Sequence, residues 1–250
     1  MPADWSARSR AYGDAIKKPD WIDFDHLGSG PQYRSTILDR KMQEQTGFKR
    51  ILNAPLGRMG VPFLINLEID GFLGRDDALK IYEMAYHSDG DVLELGTCKG
   101  LSTSIIAEAL GEAGGGNLET VDIDAAANEV ARENVKSRRF GEKVTFAIQD
   151  AAKRMDELSS LGRKFGFVFI DHWHGYDATY EAASRVRDLL KPGGYVLFHD
   201  FLDPGNSDPN HVYGVYQAVL DTICLDDEFE FICNSGCCGL FRRKPQDGLV

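Results

Sequence analysis

No stretch of this 250-residue sequence approaches the roughly 20 consecutive apolar residues that a membrane-spanning helix needs. A membrane partner is therefore not expected. The opening Met1-Pro2-Ala3-Asp4-Trp5 lacks the basic and apolar regions of a secretory signal, which favours a soluble, cytoplasmic protein. Cysteine is sparse: Cys98, Cys224, Cys233, Cys237 and Cys238 form an odd set without paired CxxC knuckles, against both a zinc ribbon and a secreted disulfide framework. Reduced thiols are expected, with Cys237-Cys238 read as strand core. The 26 Gly and 9 Pro follow no period, so collagen-like and low-complexity chains fall away too.

Positive charge is also short. With 28 Lys/Arg against 39 Asp/Glu the net charge is −11, and a chain so acidic is repelled by a phosphate backbone, so no nucleic-acid partner is expected. The cations are unevenly spread: residues 1–60 hold 10 Lys/Arg and 7 Asp/Glu, net +3, which leaves −14 for the remainder. A basic segment on an acidic body suits intramolecular docking or the holding of an anionic ligand, beside the plainer reading of a solvated face. What the sequence has in quantity is core. With 43% of residues hydrophobic and 27% charged, it has the balance of a globule of one large domain or two small ones.

From Asp91 onward, short runs rich in Val, Ile and Phe alternate with stretches of helical period, the signature of β-α units and a parallel sheet. Strands are expected over 92–95, 118–122, 144–148, 167–170 and 195–198. Helices fit 101–110, 125–138, 152–158 and 178–190, the last stopped by Lys191-Pro192-Gly193-Gly194, and a further one fits 211–222. Two final strands, 228–233 and 237–242, are separated only by Asn234-Ser235-Gly236. That is too short for a crossover, so they pair as an antiparallel hairpin. The fold class is thus α/β: a seven-stranded Rossmann-like sheet, mostly parallel with its last strand antiparallel, and helices on both faces. Residues 1–85 lack the alternation and are expected to form an N-terminal helical cap or substrate lid on the domain of residues 86–250.

Ligands of open α/β sheets sit at the carboxyl ends of the strands. After the first strand, Glu94-Leu95-Gly96-Thr97-Cys98-Lys99-Gly100-Leu101-Ser102 makes a glycine-bracketed turn into a helix. Gly96 and Gly100 allow a tight turn, Ser102 and the free helix amides suit a carboxylate, and Glu94 adds a negative charge that favours a ligand carrying cationic groups. The spacing lacks the middle glycine of G-x-G-x-x-G, which disfavours pyrophosphate. Asp122 at the second strand's tip can accept hydrogen bonds from ribose hydroxyls, with Ile123 beside it, while Asp124 reads as a helix cap. Asp150 and Ala151 follow the third strand and can meet a base edge. An amino-acid end, a ribose and a base together describe S-adenosylmethionine. The fourth and fifth strands end in Asp171-His172-Trp173-His174 and His199-Asp200, whose carboxylates and imidazoles suit a divalent cation or a general base.

In these motifs the sequence resembles the class I S-adenosylmethionine-dependent methyltransferases, through Glu94-Leu95-Gly96 to Ser102-Thr103, Val121-Asp122, Ile170-Asp171 and Leu190-Lys191-Pro192-Gly193-Gly194 in order. Within that class it resembles two metal-dependent O-methyltransferase branches, the catechol type through Phe169 to Trp173 and the macrolide-sugar type through Asp171, His174, Tyr176, His199 and Asp200. The resemblance implies cofactor contacts at Glu94, Gly96, Thr97, Cys98, Gly100, Ser102, Asp122, Ile123, Asp150, Ala151, Asp171, His172 and Trp173. It implies a magnesium or manganese ion on Asp171 and Asp200, and a proton-accepting His174 with Asp171 as catalytic partner. Two positions depart from the pattern: Phe201 replaces the catechol branch's asparagine ligand, and His199 replaces an acid. Imidazole suits manganese, iron or zinc better than magnesium, so His199 is a third candidate ligand. The implied activity is methyl transfer to a hydroxyl oxygen of a small-molecule acceptor, in a protein whose relatives often pair as homodimers. Nitrogen or sulfur acceptors, a metal-independent transfer and a non-methylating relative on the same fold remain as rivals.

Overall fold

The computed structural model describes Leu67 and residues 69–246. Helix α1 (Arg75–Tyr86) leads into strand β1 (Val92–Leu95), and β-α units follow: α2 (Leu101–Ala113), β2 (Leu118–Asp122), α3 (Ala125–Lys136), β3 (Val144–Ile148), α4 (Ala151–Ser160), β4 (Phe165–Ile170), α5 (Tyr176–Leu189) and β5 (Leu190–Phe198). A short α6 (Val215–Leu220) precedes the terminal pair β6 (Phe229–Ser235) and β7 (Cys238–Arg243). The seven strands lie in the order β3-β2-β1-β4-β5-β7-β6, with β7 antiparallel to both of its neighbours. This is the expected sheet.

Its core follows from strand alternation. Along β4 the side chains of Phe167 and Phe169 pack with Ile81 of α1 and Ile105 of α2, whereas Val168 and Ile170 turn to the opposite face and meet Met155, Val186 and Val219. All six β4 residues are buried, as a central parallel strand covered on both sides must be. The cap expected of residues 1–85 lies outside the described residues except for its last stretch, where α1 packs on α2 and closes one face of the sheet.

Three elements differ from expectation. The fifth strand starts at Leu190 rather than Tyr195, because Leu190 pairs with Phe165 and the Pro-Gly-Gly segment bulges before regular pairing resumes at Phe167 and Tyr195. The last helix covers only Val215–Leu220. Residues 211–214 are held as a loop, with Gly214 N–H donating to His174 O at 2.8 Å. Cys237 belongs to the hairpin turn, and only Cys238 enters the strand. Gly236, at φ +58°, makes that turn, and a Cβ there would stand 1.9 Å from Asp77 Oδ1.

Candidate active site

The parallel strands β1 to β4 end along one edge, where a cleft of about 370 Å³ opens. The turn after β1 sets its floor. Gly96 has φ +104°, and a Cβ there would sit 2.0 Å from Asp171 O, so the tips of β1 and β4 touch only because this residue is glycine. Cys98, also left-handed at φ 45°, donates its N–H to Asp122 Oδ2 at 2.7 Å, while Asp124 N–H donates to Asp122 Oδ1 at 2.9 Å. The carboxylate of Asp122 is thus fixed by two backbone donors before any ligand arrives, and each oxygen keeps acceptor capacity.

Nine of the thirteen cofactor residues expected from the sequence line this cleft. Gly96 and Cys98 come from the first turn, Asp122 and Ile123 from the second, Asp150 and Ala151 from the third, and Asp171, His172 and Trp173 from the fourth. Asp150 also caps α4, accepting from Lys153 N–H at 3.0 Å, so the structural and the cleft-facing roles coincide in one side chain. His172 Nδ1 lies 3.0 Å from Trp173 O, and burial holds its imidazole below the usual range. Trp173 is 65% exposed on the rim.

The other four stand behind the wall. Glu94 is fully buried, with Oε2 accepting from the hydroxyls of Thr103 and Thr120 at 2.6 Å each, and Oε1 has no partner. Burial pushes this carboxyl up to about 7, against opposing hydrogen bonds from Ser102, Thr103 and Thr120. Thr97 turns inward to Thr120, their hydroxyls 2.6 Å apart. Ser102 is turned to Glu94, and Gly100, at φ +87°, lets the loop close on Ala131 and Val135. These residues shape the loop from within rather than facing its opening.

The carboxylate and imidazole cluster lies at the ends of β4 and β5. Donor atoms of Asp171, His174 and Asp200 all fall within 4.8 Å of one another. His174 Nδ1 is 3.0 Å from Asp200 Oδ2, and its ring stacks on Tyr213 with centroids 4.9 Å apart. His199 is buried, its Nδ1 lying 3.2 Å from both Asp171 Oδ1 and Asp200 Oδ2 though off the line of a hydrogen bond to either. Burial disfavours its charged form, but Asp171, Asp200 and Cys237 outweigh this and hold the imidazole well above its ordinary range. Asp200 responds in the opposite sense: burial raises its carboxyl, yet His199 carries it below normal. Phe201 points away, fully buried against Tyr216 and Phe241. It stands in the core where the catechol branch has a ligand.

Sequence reasoning did not find Tyr213, Asp77 or Cys237. Tyr213 reaches His174 only through long-range loop closure, which leaves no local signal. Cys237 carried one: the Ser235-Gly236 pair before it marks a turn, which takes the first thiol out of the strand.

A seven-stranded sheet with one reversed strand and a ligand cleft at its carboxyl edge defines a Rossmann-like methyltransferase fold. It is similar to the crystal structure of the O-methyltransferase TomG from Streptomyces achromogenes, involved in tomaymycin synthesis and solved with S-adenosylmethionine, at a TM-score of 0.59 over 92% of this chain and 99% of that one, with 18% identity. Residues 93–201 match a family described as a methyltransferase domain. The tapetum-specific methyltransferase 1 of Arabidopsis thaliana is 27% identical over 204 residues, 75% of this chain and 83% of the relative. A caffeoyl-CoA O-methyltransferase of Stellaria longipes is 29% identical over 113 residues, 44% of this chain, and that alignment spans less than half of the relative, 45%. These likenesses bear out the resemblance to the class I S-adenosylmethionine-dependent methyltransferases that the sequence motifs carry.

Proposed function

We propose that this protein transfers the methyl group of S-adenosylmethionine to a hydroxyl oxygen of a small molecule. The observation that carries the reading is the cleft in which a prefixed Asp122 and the Asp171–Trp173 wall stand beside the His174–Asp200 pair. Asp122 would bind the ribose hydroxyls and His172 with Trp173 would flank the adenine. The bound sulfonium supplies an already activated methyl carbon. Asp200, facing Nδ1, keeps the proton of His174 on that nitrogen, so Nε2 is the basic atom that takes the acceptor's hydroxyl proton. The acceptor oxygen then bonds to the methyl carbon as its bond to sulfur breaks.

Asp171 and Asp200 would hold a divalent cation, which lowers the pKa of a coordinated hydroxyl. Two carboxylates close together fit such an ion, and His199 supports them through Nδ1. The same His199 favours a second reading, a metal-independent transfer, since a protonated imidazole against both acids supplies the positive charge an ion would bring.

Incubation with methyl-labelled S-adenosylmethionine and a panel of phenols and sugars tests the reading. Label should reach oxygen, His174→Ala should slow transfer by about 100-fold or more, and chelation or Asp171→Ala should remove the metal-dependent part while cofactor affinity stays within about tenfold. Label on nitrogen or sulfur alone, or a His174→Ala variant at full rate, would contradict it; activity indifferent to chelation selects the metal-independent form.

A further inference from the structure

Directly behind the carboxylate cluster lies a second group of metal-ligating side chains, of which the methyl-transfer reading uses only His199, and that through Nδ1. We propose that Asp77, His199, Cys237 and Cys238 bind a zinc ion that pins the β6–β7 hairpin and the start of α1 to the end of β5. The four donors come from three separate elements, and their ligand atoms all lie within 4.8 Å of one another. Donors placed 2.0–2.3 Å from a tetrahedral ion stand roughly 3.3–3.8 Å apart. Two separations fall in that range, 3.4 Å from Cys237 Sγ to His199 Nε2 and 3.5 Å from Cys238 Sγ to Asp77 Oδ1, while His199 Nε2 to the other Asp77 oxygen, Oδ2, is 3.9 Å, so the carboxylate would draw in on binding.

The donor chemistry selects the ion. Two thiolates and an imidazole are poor partners for magnesium or calcium and good ones for zinc, and four protein ligands leave no open position, as in structural rather than catalytic sites. On binding, both thiols and Nε2 of the His199 imidazolium give their protons to solvent, three in all. His199 has the orientation a zinc ligand needs. Nε2 faces the sulfurs and Nδ1 faces Asp171 and Asp200, so the ring meets carboxylates on the side opposite the metal. The surroundings hold the carboxylate in place: Asp77 Oδ1 accepts Cys237 N–H at 2.8 Å, Asp77 Oδ2 accepts Gly74 N–H at 3.1 Å, and Asp77 Oδ1 stands where a Cβ on Gly236 would be. Asp77, His199 and Cys238 are all buried, which keeps competing water from three of the four donors.

Cobalt(II) titration of the full, reduced chain tests the assignment, because only a thiolate site gives a sulfur-to-cobalt charge-transfer band. The band should saturate at about one equivalent per chain and be displaced by zinc. Cys237→Ser, a turn substitution that leaves the sheet intact, should weaken cobalt binding at least about tenfold, and Cys238→Ser should do the same with circular dichroism checking its fold. His174→Ala, which alters only the carboxylate cluster, should keep the band. Absence of the band in the wild-type chain, or an undiminished band in Cys237→Ser, would overturn the site. A bound ion would leave His199 neutral and so remove the metal-independent form of methyl transfer, but label transfer and the cobalt band are read separately, so the two readings fail separately.

Discussion

Glu94 shows how a single residue can be legible in position and misleading in role. Its place beside the glycine turn suggested a charge offered to a ligand, yet the carboxyl is sealed beneath Thr103 and Thr120 and is held at about 7 by burial. The folded state therefore grips this proton more tightly than the unfolded chain, for which the ordinary value is 4.5. Stability present below the unfolded value is lost as pH rises through the folded one. Between pH 4.5 and 7 the wild-type chain should lose roughly 3 kcal/mol from this group. Urea unfolding at pH 5 and pH 8 checks it: Glu94→Gln should flatten the pH dependence, and an unchanged slope would show that the carboxyl is not held protonated. Asp122 illustrates the opposite case: the strand tip read from the sequence does set its carboxylate on the cleft.

Among the elements, the β6–β7 hairpin does the most to distinguish this sheet. It places β7 against β5, and Gly239 allows Phe201 to pass: a Cβ at Gly239 would lie 2.5 Å from that ring. Phe201 consequently fills the core between Tyr216 and Phe241 instead of reaching toward Asp171 and Asp200. Restoring the catechol branch's residue should therefore not restore a ligand. Phe201→Asn would leave a cavity and an unpaired buried amide, at a cost of about 3–5 kcal/mol, with metal affinity unchanged. Denaturant unfolding and metal titration of that variant check both parts, and a gain in metal affinity would contradict the assignment of Phe201 to the core. The β-α units were legible because buried parallel strands must be continuous apolar runs and their helices must show one apolar face. The extension of β5 to Leu190 and the shortening of α6 were not, since a bulge and a tertiary hydrogen bond to His174 O decide them.

For the whole molecule, what the sequence could convey was order along the chain: strand tips carrying Gly96, Asp122, Asp150, Asp171 and Asp200 in succession. What it could not convey was depth, because burial of Glu94, Thr97 and Ser102 and the meeting of Asp77 with Cys237 depend on elements far apart in sequence. Among the described residues no helix is long and apolar enough to cross a membrane. Isothermal titration calorimetry with S-adenosylmethionine measures the central claim most directly. One site per chain is expected, with Asp122→Ala weakening it about 30-fold, or about 2 kcal/mol, through the lost carboxylate bonds. A wild-type chain that takes up no S-adenosylmethionine, or an Asp122→Ala variant that binds it undiminished, would contradict the account.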